Sequence, residues 1–112
     1  MNLEHRSEGD VLVVTIPEER LDYVNVNSFK NAMLDIIGKG HRKIAIDLSK
    51  VTFMDSRGLS AFLSLIRALG QNGAMALCHL SAPIRRVFAV TRTDRVVRIF
   101  PNMVEALAFL ND

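Results

Sequence analysis

The sequence predicts an α/β domain: a mixed, mostly parallel β-sheet with helices, in the order ββαβαβαβα. Three observations carry this. Short β-branched or apolar runs, VLVVTI at 11–16, KIAIDL at 43–48 and AMALC at 74–78, read as strands. Between them, apolar residues recur at three- and four-residue spacing, the period of one helical face. Strands that alternate with helices require right-handed crossovers, which lay the strands parallel. At 112 residues, 49% apolar and 23% charged, the chain suits one domain over residues 1–112 with one core.

Taken in order, residues 2–6 and 11–16 form two strands joined by a turn at Ser7-Glu8-Gly9-Asp10, and Pro17 ends the second. Arg20 to Val24 is a connecting loop. Asn25 or Asn27 then caps a helix with apolar positions Val26, Phe29, Met33, Ile36 and Ile37. Gly38-Lys39-Gly40 stops that helix, with a glycine available for the left-handed closing conformation. The third strand buries Ile44, Ile46 and Leu48, with Asp47 shaping its exit, and Ser49 to Asp55 connects it to a second helix. That helix places Leu59, Phe62, Leu63, Ile66 and Leu69 on one face and closes at Gly70-Gln71-Asn72-Gly73. Residues 74–80 form the next strand. Ser81 caps a third helix, Pro83 is tolerated in its first turn, and Ile84, Val87 and Phe88 point inward. Arg95 to Phe100 is a last short strand. Asn102 with Glu105 makes a capping box for Met103 to Leu110, with Leu107 and Leu110 buried.

Composition narrows the function. No apolar run approaches the roughly 18 residues of a membrane span, and the N-terminal MNLEHRSEGD lacks the apolar stretch of a secretory signal. Cys78 is alone, in an apolar run, which points to a buried and inert thiol in a reducing cytoplasm. The net charge of +2 is uneven: residues 1–56 carry −2 and residues 57–112 carry +4. Arg85, Arg86, Arg92, Arg95 and Arg98 cluster with only Phe88 as an aromatic among them, which disfavours a nucleic-acid partner. A solvated face or contact with an acidic protein fits better.

Catalysis is not expected. Ser56 has Asp47 and Asp55 near it in sequence, but His5, His41 and His79 all fall elsewhere, and an ordinary carboxylate is a poor base for a hydroxyl. DSRG is not the G-x-S-x-G elbow, no phosphate-cradling GxxxxGK[ST] loop occurs, and the histidines and Cys78 lack metal-ligand spacing. No cofactor or metal is therefore expected. The chemically pointed feature is the joint Asp55-Ser56-Arg57-Gly58. A hydroxyl on the first turn of a helix, beside a capping carboxylate, is well placed to carry phosphate, because unpaired N–H groups and the helix dipole favour an anion there. Read without further context, Ser56 is simply a helix-start residue.

The stretch VTFMDSRGL resembles the signature of STAS domains, in particular the small bacterial anti-sigma factor antagonists. The resemblance runs from about Val11 to Leu110. It is most specific in Ile46-Asp47-Leu48 followed by Met54-Asp55-Ser56 and Gly58-Leu59, and in the earlier RLDYVNVNSF segment. It implies that Ser56 is a regulatory phosphorylation site in a partner-switching circuit. The unphosphorylated chain would bind an anti-sigma factor, a serine kinase of the histidine-kinase-like ATPase fold. Phosphorylation would release it, and a PP2C-type phosphatase would restore it. Arg57 departs from the family, which carries a small residue there. It can screen the phosphate or pair with a partner carboxylate.

The same resemblance implies that the loop with Leu21, Asp22 and Asn25 lies on the serine's side and contributes to partner binding through Asp22, with Leu21 as an inward plug; Met54, Asp55, Arg57 and Gly58 are counted to the same surface. Asp55 caps the helix and is implied to orient the serine for its kinase. Met54 reads either as an exposed anchor or as a side chain buried under its loop. Gly58 allows close backbone approach, by a partner or by a neighbouring loop. The alternative function is an accessory subunit of a membrane transporter of the lipid-transport type, with no phosphorylation cycle.

Overall fold

The computed structural model describes residues 1–112. Its elements are β1 (Glu4–Glu8), β2 (Val11–Thr15), β3 (Arg20–Leu21), α1 (Val26–Gly38), β4 (Lys43–Asp47), β5 (Phe53–Met54), α2 (Ser56–Leu69), β6 (Ala74–Cys78), α3 (Ala82–Val90), a 3₁₀ turn (Thr93–Arg95), β7 (Arg98–Phe100) and α4 (Met103–Leu110). The main sheet has the order β1-β2-β4-β6-β7, antiparallel between β1 and β2 and parallel elsewhere. This is the expected ββαβαβαβα chain with a two-stranded parallel ribbon, β3 with β5, added at its connections. No helix is long and apolar enough to cross a membrane.

Alternation along the central strands builds two cores. Leu12, Val14, Ile44, Ile46 and Leu77 join residues of α1, α2 and α3 in the larger one. Val11, Val13, Ala45, Ala76 and Cys78 face α4 through Ala106 and Leu110. Phe62 links the three helices of the first layer, with its ring 5.5 Å from Phe29 and 6.0 Å from Phe88. Because α2 is packed on several sides, its buried sector is wider than the sequence stripe. Ala61 and Leu65 are buried, whereas Leu63 and Ile66 are only partly so.

Several local expectations are corrected. β1 continues through Glu8, so the hairpin turns on Gly9 and Asp10 alone, with Gly9 at φ +65°. β6 stops at Cys78, and His79 takes a left-handed φ of 60° that ends the strand. The last strand starts at Arg98, not Arg95, because residues Thr93–Arg95 coil into the 3₁₀ turn. Ser81 does occupy the N-cap position of α3, but its side chain caps nothing and its Oγ is buried without a partner. Asn102 does cap α4, accepting from the Glu105 N–H at 2.9 Å, and its amide donates to the Glu105 carboxylate at 3.2 Å.

Candidate functional site

In this sheet the connections after β2 and after β4 both leave the carboxyl edge, where α/β proteins commonly place their sites. They are joined to each other there. The Thr52 and Phe53 N–H groups donate to the Glu19 carbonyl at 2.7 and 3.2 Å, and β3 and β5 pair Arg20 with Phe53 and Leu21 with Met54. Leu21 is fully buried, the inward plug expected of it.

Asp22 faces inward as well. It is 5% exposed, accepts from Arg20 Nε and from the Val24 N–H, each at 3.1 Å, and so braces the first loop from within. Expected as a partner contact, Asp22 is therefore a positioning residue, since a carboxylate committed to two donors inside its own loop has little to offer outside. Asn25 braces the loop in the same way, since its Oδ1 accepts from the Asp22 N–H at 3.1 Å and its Nδ2 donates to the Arg20 carbonyl at 2.7 Å. Turned back into the loop, it gives α1 no side-chain cap, although it sits at the N-cap position.

The second loop delivers α2. Asp55 is the N-cap, as expected: one carboxylate oxygen accepts from the Arg57 and Gly58 N–H groups, both at 3.0 Å. The other accepts from the Tyr23 N–H at 3.0 Å, so a single side chain ties the helix start to the first loop. These bonds hold the carboxyl below its ordinary value of 3.8, the Gly58 N–H foremost, then those of Tyr23 and Arg57 and the Arg57 charge, against a partial desolvation that pulls the other way.

Two residues counted to the partner surface, each with a second reading left open, take that second reading here. Met54 is only 6% exposed, packed beneath its loop and unavailable as an anchor. Gly58 is buried, and a Cβ there would lie 2.5 Å from the Leu21 carbonyl oxygen and 2.7 Å from Met54 Cγ. The close approach that Gly58 permits is therefore made by the neighbouring loop.

What remains at the surface is Ser56, at the first position of α2, and Arg57 beside it, both exposed. Sequence reasoning missed the exposed apolar side chains of the two joined loops. Tyr23 and Val24 are 66% and 74% exposed, and Phe53 is 41% exposed. The Arg57 guanidinium lies 5.9 Å from the Tyr23 ring centroid, and that of Arg20 lies 4.1 Å from the Phe53 ring. The available signal was an aromatic-apolar pair, Tyr23-Val24, inside an otherwise polar connection. The surface around the serine is thus aromatic and cationic on a rigid, cross-bonded frame. It contains no histidine and no base within the serine's turn other than the capping Asp55.

Elsewhere at this edge, Asp47 turns the corner after β4 by accepting the Ser49 N–H at 2.9 Å. Cys78 is fully buried, and burial with the nearby Asp47 charge pushes its thiol up to about 12, so without a further partner it stays protonated.

Comparison with known proteins agrees with this fold. The family profile for the STAS domain matches residues 2–106. The anti-sigma F factor antagonist of Paenibacillus polymyxa is 28% identical over 112 residues, covering 98% of this chain and 95% of its own. A STAS-domain anti-sigma-factor antagonist protein from Planctomyces limnophilus has a structure that matches with a TM-score of 0.89 at 25% identity, over 98% of each chain. The Bacillus cell fate determinant SpoIIAA, solved in its phosphorylated form, matches with a TM-score of 0.70 at 21% identity over 96% of this chain and 97% of that one, a likeness of fold.

Proposed function

This chain belongs to the STAS domain family, and on that footing we propose that it is an anti-sigma factor antagonist whose binding is switched by phosphorylation of Ser56. The observation that carries the reading is the position of Ser56: an exposed hydroxyl on the first turn of α2, between Arg57 and the Asp55 that bonds the first loop at Tyr23. Unphosphorylated, this surface offers a partner an aromatic and cationic patch that needs little ordering on binding, because the two loops are already bonded together. Phosphorylation adds about −1.5 to −2 charges. In the free chain that charge sits in water. In a complex it must be desolvated beside Asp55, a cost that a partner without a prepared anion site cannot meet.

The partner proposed is an anti-sigma factor that is also a serine kinase of the histidine-kinase-like ATPase fold, with a PP2C-type phosphatase resetting the cycle. Nucleotide binding and phosphoryl transfer belong to those proteins, and the antagonist is their substrate and ligand. The base in the serine's turn, Asp55, is engaged with the N–H groups of Tyr23, Arg57 and Gly58, and no reaction is assigned to the chain itself.

The test is affinity capture from a lysate of the source organism with wild-type, Ser56→Ala and Ser56→Asp baits, followed by kinase assay of the captured protein. Ser56→Ala is expected to retain the kinase and Ser56→Asp to lose it, with one phosphate added to wild type, at Ser56. Equal capture by all three baits, or phosphate found at Ser49, Ser60 or Ser64 instead, refutes the proposal.

A further inference from the structure

The sequence spacing of the histidines and Cys78 excludes a metal motif, yet the fold assembles a ligand set that linear spacing cannot reveal. Asp47 and Cys78 end adjacent parallel strands and are register partners across the β4–β6 ladder. His79 follows at once. A carboxylate oxygen of Asp47, the Sγ of Cys78 and a ring nitrogen of His79 all lie within 4.8 Å of one another. We infer that Asp47, Cys78 and His79 form a three-ligand site for a divalent ion of the zinc class, with water in the fourth position.

The chemistry of the donors favours that class. A thiolate, an imidazole and a carboxylate in a tetrahedral arrangement suit zinc, whereas calcium and magnesium call for sets made of oxygens. Three protein ligands leave the fourth position open. The frame is stiff: the Leu48 N–H donates to the Cys78 carbonyl at 3.0 Å, so the two strand ends are bonded where the ligands leave them. Asp47 spends one oxygen on the Ser49 N–H and keeps the other. The set runs from core to solvent: Cys78 is buried against the α4 layer, Asp47 is half-buried and His79 is exposed.

His79 holds a left-handed backbone conformation, φ 60°, which histidine adopts more readily than most residues other than glycine, and which turns the chain out of β6 at the ligand set. On binding, the S–H bond of Cys78 is exchanged for a sulfur–metal bond and its proton leaves to solvent, with no change of oxidation state. The ion both stabilises the thiolate and neutralises the Asp47 charge that opposes it.

Cobalt(II) is the probe. Reduced, metal-free protein titrated with Co²⁺ under anaerobic conditions is expected to bind one ion per chain, with a thiolate-to-cobalt charge-transfer band in the near ultraviolet that Zn²⁺ abolishes by displacement. His79→Asn keeps a residue that tolerates the left-handed conformation at an exposed position, so the fold is preserved, and it should weaken binding at least tenfold. Cys78→Ala should remove the band altogether. Absence of the band in wild type, or an unchanged Co²⁺ affinity in folded His79→Asn, overturns the site. Neither result bears on the phosphorylation of Ser56, which the capture experiment reads separately.

Discussion

Replacing Gly58 with alanine tests whether this residue clamps the two loops or faces a partner. A Cβ at position 58 would lie 2.5 Å from the Leu21 carbonyl oxygen and 2.7 Å from Met54 Cγ. The methionine is flexible and can give way, but the carbonyl belongs to β3, which is paired with β5 and cannot retreat alone. Overpacking of this kind costs about 1–3 kcal/mol, and a contact with backbone puts it at the upper end. Alanine in place of glycine returns roughly 1 kcal/mol through helix propensity. The net expectation is a loss of about 2 kcal/mol. With an unfolding entropy of about 2.1 cal/mol/K per residue over a domain of this size, that corresponds to a fall in Tm of roughly 8 °C. Urea denaturation and thermal melting, followed by circular dichroism, measure both. Were Gly58 an open contact for a partner, the same substitution would be neutral or stabilising in the free protein. A Gly58→Ala variant as stable as wild type therefore refutes the clamp.

The same frame sets three further expectations. Asp22→Ala, which leaves the Val24 N–H unpaired and removes the inward partner of Arg20, should destabilise the free chain by about 1–3 kcal/mol; an unchanged urea midpoint would show that the brace is not needed. Asp55 is held below its ordinary 3.8, so its contribution to stability is fully present above that value and is lost as pH falls through the lower folded value. The acid limb of the stability curve should accordingly flatten in Asp55→Asn, and identical slopes below that pH would contradict the assignment. Tyr23→Ala and Phe53→Ala, both at exposed positions, should leave Tm nearly unchanged while weakening kinase capture at least tenfold, about 1.4 kcal/mol each, and unaltered capture would move the proposed interface elsewhere.

The layers were legible in the sequence because each rests on a local period. Ile44, Ile46 and Leu48 alternate, Phe29 and Met33 repeat at helical spacing, and Asn102 announces α4 by its own cap. The site was legible only as to its centre. Asp55 and Ser56 sit where a strand-to-helix joint must put them, and the capping chemistry of aspartate is local. What went unread depends on residues far apart in the chain. The β3–β5 ribbon is two residues a side, too short for any alternation to register, and it is what turns Met54 and Gly58 inward. Asp22 looks like a free surface carboxylate until Arg20 and the Val24 N–H are seen to enclose it. Asp47 and His79 are 32 positions apart, and only a parallel register brings their strands' ends together.

The cap also determines how the proposed switch can act. The sequence suggested that a phosphate on Ser56 would be received by the unpaired N–H groups of a helix start. In the structure those of Arg57 and Gly58 are already taken by Asp55, and that of Leu59 donates to the Asp55 carbonyl at 3.2 Å. What remains for a phosphate to capture is the single N–H of Ser56 itself, the helix dipole and the Arg57 side chain. A phosphoserine here therefore gains no new set of backbone bonds that could pull the loop into another shape. The same bonds, together with those between the loops, resist displacement by repulsion from Asp55. On the proposed reading, then, the free protein keeps one conformation in both states. The signal is the altered charge of an unmoved surface, felt only when a partner tries to cover it.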